Sequence, residues 1–148
     1  MLRGGASLTV AVAAGSTVAA CSTGPSEREL AADKLVPLAR TADLQRRQAQ
    51  QLAPRETAYT AALQQVASER GAHATALVDE INRLHSPAAS AASTAPGAPE
   101  VSLDALRDAL GKAAREATGT AISSSGFQAG LLASISASCA ALREVQLA

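Results

Sequence analysis

The chain has 148 residues with 13 basic and 13 acidic side chains, one Tyr, one Phe and no Trp. A neutral balance removes the electrostatic case for nucleic acid, and so few rings leave no platform on which bases could stack. Alanine dominates the composition, with Leu, Glu, Gln and Arg beside it, and these are the strongest helix formers, so the expected class is all-α within one domain.

Arg3 precedes a weakly apolar run, Ala6 to Ala20, that ends Val18-Ala19-Ala20-Cys21. A positive start, a short apolar segment and small residues at its end fit a secretory signal peptide, and the run is shorter than the roughly 20 residues a membrane-spanning helix needs. The tetrapeptide resembles the lipobox of bacterial lipoproteins, whose invariant Cys receives acyl chains such as palmitate and becomes the mature N-terminus. The competing reading is an ordinary Ala-rich helix in which Cys21 is a small apolar residue. On the lipobox reading, residues 1–20 are the leader, Cys21 is the lipidation site and residues 21–29 are a flexible tether. The mature protein would then sit at the cell membrane, on its extracytoplasmic face, held by a lipid anchor.

Ser26 is a suitable N-cap for a first helix reaching about Gln51, with Glu27 and Glu29 in its first turn. Pro37 should kink or divide it. Leu38, Ala42, Gln45, Ala49 and Leu52 share one face at about 100° per residue, and the Arg46-Arg47 pair reads as a solvated face or a membrane-surface contact. Pro54 suits the first position of a second helix running to about Leu84. Tyr59, Leu63, Val66, Arg70, His73, Leu77, Ile81 and Leu84 fall near one line on that helix, so two polar residues sit inside an apolar stripe. His85-Ser86-Pro87 should end it.

The stretch from Ser86 to Pro99 is low in charge and in large apolar residues, and residues 86–101 read as a disordered linker. Ser102 then caps a third helix with Leu103, Leu106, Leu110, Ala114, Ala117 and Ala121 on one face, fading through Gly119 to Ser125. The fourth helix places Phe127, Leu131, Ile135, Leu142 and Val145 on its broad face, with Ser134 and Ser138 beside them and Cys139 at the margin. The pattern predicts an up-down four-helix bundle over residues 30–148. Few large side chains are available, so the helices must approach closely through Ala and Ser and stability should be modest.

Glu69, His73 and Glu80, at i, i+4 and i+11, fall to one side of the second helix. A carboxylate–His–carboxylate row could hold a metal inside a bundle, but such sites draw an acid from each of two helices and a Glu-x-x-His repeat from the others. That repeat is absent here, so neither a metal site nor a cofactor is expected. Glu69, Arg70, His73 and Glu80 are instead expected to form a buried polar cluster, with Arg70 paired to a carboxylate and His73 hydrogen-bonded in the core. Cys139 reads as a buried, inert thiol. No Gly-rich elbow or oxyanion motif supports catalysis by it.

The segments SERGAHATALVDEINRL, starting at Ser68, and AGLLASISASCAALREV, starting at Ala129, resemble alanine-rich actinobacterial lipoproteins of unknown function whose bundle looks ferritin-like. The resemblance implies a four-helix, ferritin-like fold and a place in the cell envelope, and it implies no activity. The expected function is a lipid-anchored, non-catalytic envelope protein that binds an envelope protein partner or stabilises an assembly. The alternative is a small-molecule or metal-binding bundle.

Overall fold

A computed structural model of the chain describes residues 24–93 and 97–148; the expected leader and the Cys21 lipidation site lie outside the described residues. Those residues form five α-helices, with a short 3-10 helix and a closing π-helical turn, and no strand. The α-helices are α1 (Glu27–Leu52), α2 (Thr60–Leu84), α3 (Ser86–Ser93), α4 (Leu103–Ile122) and α5 (Gly126–Ala141).

α1 starts where its sequence allows. The Ser26 hydroxyl accepts from the Glu29 amide while the Glu29 carboxylate accepts from the Ser26 amide, a capping box that satisfies two otherwise orphaned donors. Residues 27–29, expected in the tether, therefore belong to the helix. Pro37 does not divide it: α1 runs through as one element. The proline and Asp33, whose carbonyl loses its partner, both keep contact with solvent, so water can take the place of the missing bond.

Pro54 does not open α2. Arg55 and Glu56 donate their amides to the Leu52 carbonyl, at 2.8 and 2.9 Å, and a short 3-10 turn at Thr57–Tyr59 precedes the helix. The Thr60 hydroxyl closes this corner on the Ala53 carbonyl at 2.9 Å.

The expected linker is also revised. Residues 86–93 form α3, whose Ala88 and Ala92 are buried against α1 and α2. Alanine needs no large side chain to favour a helix, and Pro87 sits in the first turn, where its missing donor costs nothing. Arg40 donates to the Ala91 carbonyl at 2.8 Å and fixes α3 to α1. Beyond it, Arg55 pairs with Glu100 at 2.5 Å at the far end of α1. The segment between α2 and α4 thus crosses the length of the α1–α2 pair.

That crossing sets the topology. α1 and α2 are antiparallel, α4 runs in the same direction as α2, and α5 returns beside α4. The direction therefore does not alternate between α2 and α4 as expected for a simple up-down chain. The long helices pack α1 on α2, α1 on α4, α4 on α5 and, more sparsely, α2 on α5, and every neighbouring pair is antiparallel.

The core divides into two apolar clusters. One takes Ala32 to Ala39 of α1 with Leu77, Ile81, Ala113, Ala117, Leu132 and Ile135. The other takes Ala49 to Ala53 with Leu63, Val66, Leu106, Leu110, Leu142 and Leu147. Along α5 and the π-helical turn after it (Leu142–Gln146) the buried stripe is Leu132, Ile135, Cys139 and then Leu142, while Phe127 and Val145, expected on the core face, are exposed. Spacings of three, four and three keep these four residues on one line, whereas the larger side chains are offset from it.

Candidate functional site: a polar seam in mid-bundle

Between the two clusters, α1 offers Gln45 and Gln48 and α2 offers Arg70, all buried. The apolar stripes break here, so a polar layer crosses the middle of the bundle. Gln45 donates through Nε2 to the Ala109 carbonyl of α4 at 2.9 Å, while its Oε1 is buried with no partner.

Arg70 is 2% exposed and is among the largest fully buried side chains. Its Nη1 lies 2.9 Å from Nδ1 of His73, one turn along α2, and 3.0 Å from Sγ of Cys139 on α5. Guanidinium groups only donate, so both contacted atoms are acceptors and His73 is the neutral tautomer with its proton on Nε2. The expected carboxylate pairing of Arg70 is not what forms: its partners are an imidazole and a thiol. Burial without a facing acid pulls the guanidinium below its usual range, with the Cys139 sulfur opposing that shift. Its Nε is buried and unpartnered.

The neighbours respond to that cation. Burial first, and Arg70 second, lower His73 to about 4, so the ring is neutral at ordinary pH. Burial raises the Cys139 thiol, and Arg70 offsets only part of the rise. A thiol held protonated inside a core is a poor nucleophile.

Glu69 reaches α5 from the edge of the same seam. Its carboxylate accepts from the Ser138 hydroxyl and, at 2.7 Å, from Nε2 of Gln65. The Ser138 bond, ahead of burial acting the other way, holds the carboxyl below its usual range. Arg70 and His73 thus meet on α2 with Cys139 added from α5, while Glu69 stays at the rim, bonded to Gln65 and Ser138. Glu80 does not join them. It lies further along α2, buried, and accepts two bonds of 2.7 Å from Arg83.

Among the described residues no three His, Cys, Asp or Glu side chains are placed to hold a metal ion. The Arg70 guanidinium occupies the space between His73 and Cys139, so a cation bound to those two side chains would meet its charge. Arg46 and Arg47 are not a free basic surface: both engage Asp43, at 2.6 and 3.0 Å. Gly71 lets Arg46 lie across α2, since a Cβ there would meet Arg46 Cδ at 3.1 Å.

Sequence reasoning missed the partnership of Arg70 with Cys139. Its signal was the Cys139 position on the line through Leu132 and Ile135, hidden by the greater bulk of Phe127 and Val145. Among the described residues no helix is long and apolar enough to cross a membrane. No protein-family model matches the chain, and neither the curated proteins nor the solved structures contain a match.

Proposed function

We propose that the protein is a lipid-anchored, non-catalytic component of a bacterial cell envelope, held by acyl chains on Cys21, with its helical domain serving as a protein-interaction or structural module. One observation carries the reading: Val18-Ala19-Ala20-Cys21 closes an apolar run and is followed at once by a polar tether. The capping box at Ser26 supports it, because a helix starting at Glu27 leaves only a short link after Cys21. The two apolar clusters support it too, since they draw on residues from Ala32 onward and so would survive removal of a leader.

A ferritin-like bundle belongs to the same proposal. Its support is the long crossing between α2 and α4, the connection that distinguishes ferritin-like bundles from simple up-down ones. The non-catalytic role is supported by the seam, whose Arg70, His73 and Cys139 are turned on one another in the interior.

The test is replacement of Cys21 by Ser, followed by membrane fractionation and N-terminal mass determination. The wild-type protein should remain with membranes and carry acyl mass on Cys21, and the variant should be released. Unchanged retention of the variant, with no lipid on the wild type, overturns the reading.

A further inference from the structure

Among the described residues four large apolar side chains are exposed: Leu30 at 47%, Ile122 at 82%, Phe127 at 71% and Val145 at 70%. The chain is short of such residues, and Phe127 is its only phenylalanine. A core assembled largely from Ala and Leu would gain from burying it, by about 25 cal/mol per Å². It is displayed instead.

Three of the four share one end of the bundle. Leu30 lies in the first turns of α1, Ile122 ends α4 and Phe127 begins α5. The α4–α5 turn meets the start of α1 there, around an open cleft of about 400 Å³ lined by Glu27, Leu30, Lys34, Ser123, Ser125 and Gln128. Gly126, at φ +55°, makes the sharp turn that sets Phe127 just beyond the end of α4. This end is also firm. Arg28 donates to the Arg83 carbonyl at 3.0 Å and Glu29 lies 3.5 Å from His85, which ties the start of α1 to the end of α2.

The described chain begins at this same end, at Gly24. Cys21 precedes Glu27 by six positions, and an extended chain spans at most about 3.6 Å per residue, so the backbone between them can reach no further than about 22 Å. An acyl chain on Cys21 would bring a lipid surface within reach of Leu30, Ile122 and Phe127, ahead of Val145 at the opposite end. We infer that this end face is a membrane-docking surface, on which Leu30, Ile122 and Phe127 enter the interfacial layer of the bilayer that holds the anchor and fix the bundle upright. The inference rests on the lipidation proposed above and adds an orientation to it. A hanging domain would leave the three side chains in water, whereas a docked one removes their apolar surface from it.

The chain has no tryptophan, so Phe127→Trp and Val145→Trp are single-tryptophan reporters of the two ends. Each full-length protein is purified from detergent extracts of whole cells, its N-terminal mass recorded, and incorporated into phosphatidylethanolamine–phosphatidylglycerol vesicles with brominated acyl chains. If the mass shows no lipid, Cys21 is joined through its thiol to a maleimide phospholipid in the same vesicles. Cys139 is buried and stays unmodified. The docking reading is thus measured whether or not cells acylate the protein. Quenching of the indole in the Phe127→Trp protein should exceed that in the Val145→Trp protein at least threefold, and adding Ile122→Glu to the former should abolish the excess while helicity is unchanged. Equal quenching at both ends, or quenching at neither, overturns the proposal. So does protection of the Phe127→Trp reporter from aqueous quenchers in the absence of lipid with concentration-dependent sedimentation, which assigns the face to a second copy of the chain.

Discussion

α2 touches α1 along one side and α5 along another, and the two contacts are built by different means. Toward α1 the helix lies close for much of its length, with Leu63, Val66, Leu77 and Ile81 set among Leu35, Leu38, Ala39, Ala49 and Leu52. Toward α5 the approach is sparse. The gap is spanned by side chains with polar ends, Arg70 to Cys139 and Glu69 to Ser138. Small residues let two backbones come together, and long ones hold two backbones apart. An arginine in this place fills volume first and carries charge second.

The largest expected effect tests the close side. Leu77→Ala removes a fully buried side chain from the first apolar cluster and should cost about 2–5 kcal/mol by urea unfolding. A loss below about 1 kcal/mol would mean that this side tolerates collapse and is not close-packed.

The next sharpens the open side. Arg70→Ala should cost about 2–3 kcal/mol through the cavity it leaves. Arg70→Met fills most of that volume without a buried cation and should match or exceed wild-type stability, because no carboxylate is left uncompensated. If Met destabilises as much as Ala, the guanidinium is needed for its charge, and the volume argument fails.

Acid titrates the same seam. In the unfolded chain His73 binds its proton near the usual 6.5, in the fold only at about 4. Between these values the unfolded state holds more protons, so stability is level above about pH 6.5 and falls as pH drops toward 4, by about 2 kcal/mol after allowance for solvent screening. Thermal unfolding of His73→Leu beside wild type should show a shallower slope in that window. Identical slopes would remove His73 as its source.

The smallest effect belongs to the rim. Ser138→Ala deletes one hydrogen bond to the partly exposed Glu69 carboxylate and should cost about 1 kcal/mol. It should also raise the Glu69 pKa, which carboxylate chemical shifts would follow.

Legibility in the sequence followed the range of the interactions. Leu38, Ala42, Gln45, Ala49 and Leu52 were expected on one face of α1 and are all buried, because the repeat of one helix decides that face. On α2 the grouping of Arg70 with His73 was legible for the same reason. Phe127 of α5 and Val145 just beyond it depart from the expected face, since in a helix of Ala and Ser the bulkiest residues dominate any periodic reading, while the packing selects Leu132 and Cys139 beside the expected Ile135. α3 reads as a linker in sequence because Ser, Ala and Pro suggest flexibility. Its Ala88 and Ala92 show that a methyl group every fourth residue is enough to dock a short helix on a close-packed pair. The contact of Arg70 with Cys139 joins residues 69 positions apart: the local pattern turns each toward the interior but does not pair them.

The short corners at residues 53–59 and 123–125 also bear on how the chain reaches this state. Each joins two helices that become neighbours, so most native contacts are near in sequence, and chains of this kind close in milliseconds or faster. The seam of Arg70 and Cys139 joins the α1–α2 hairpin to the α4–α5 hairpin, and so exists only once the two have come together. Removing a seam contact should therefore quicken unfolding and leave the refolding rate almost unchanged, while Leu77→Ala, within a hairpin, slows refolding.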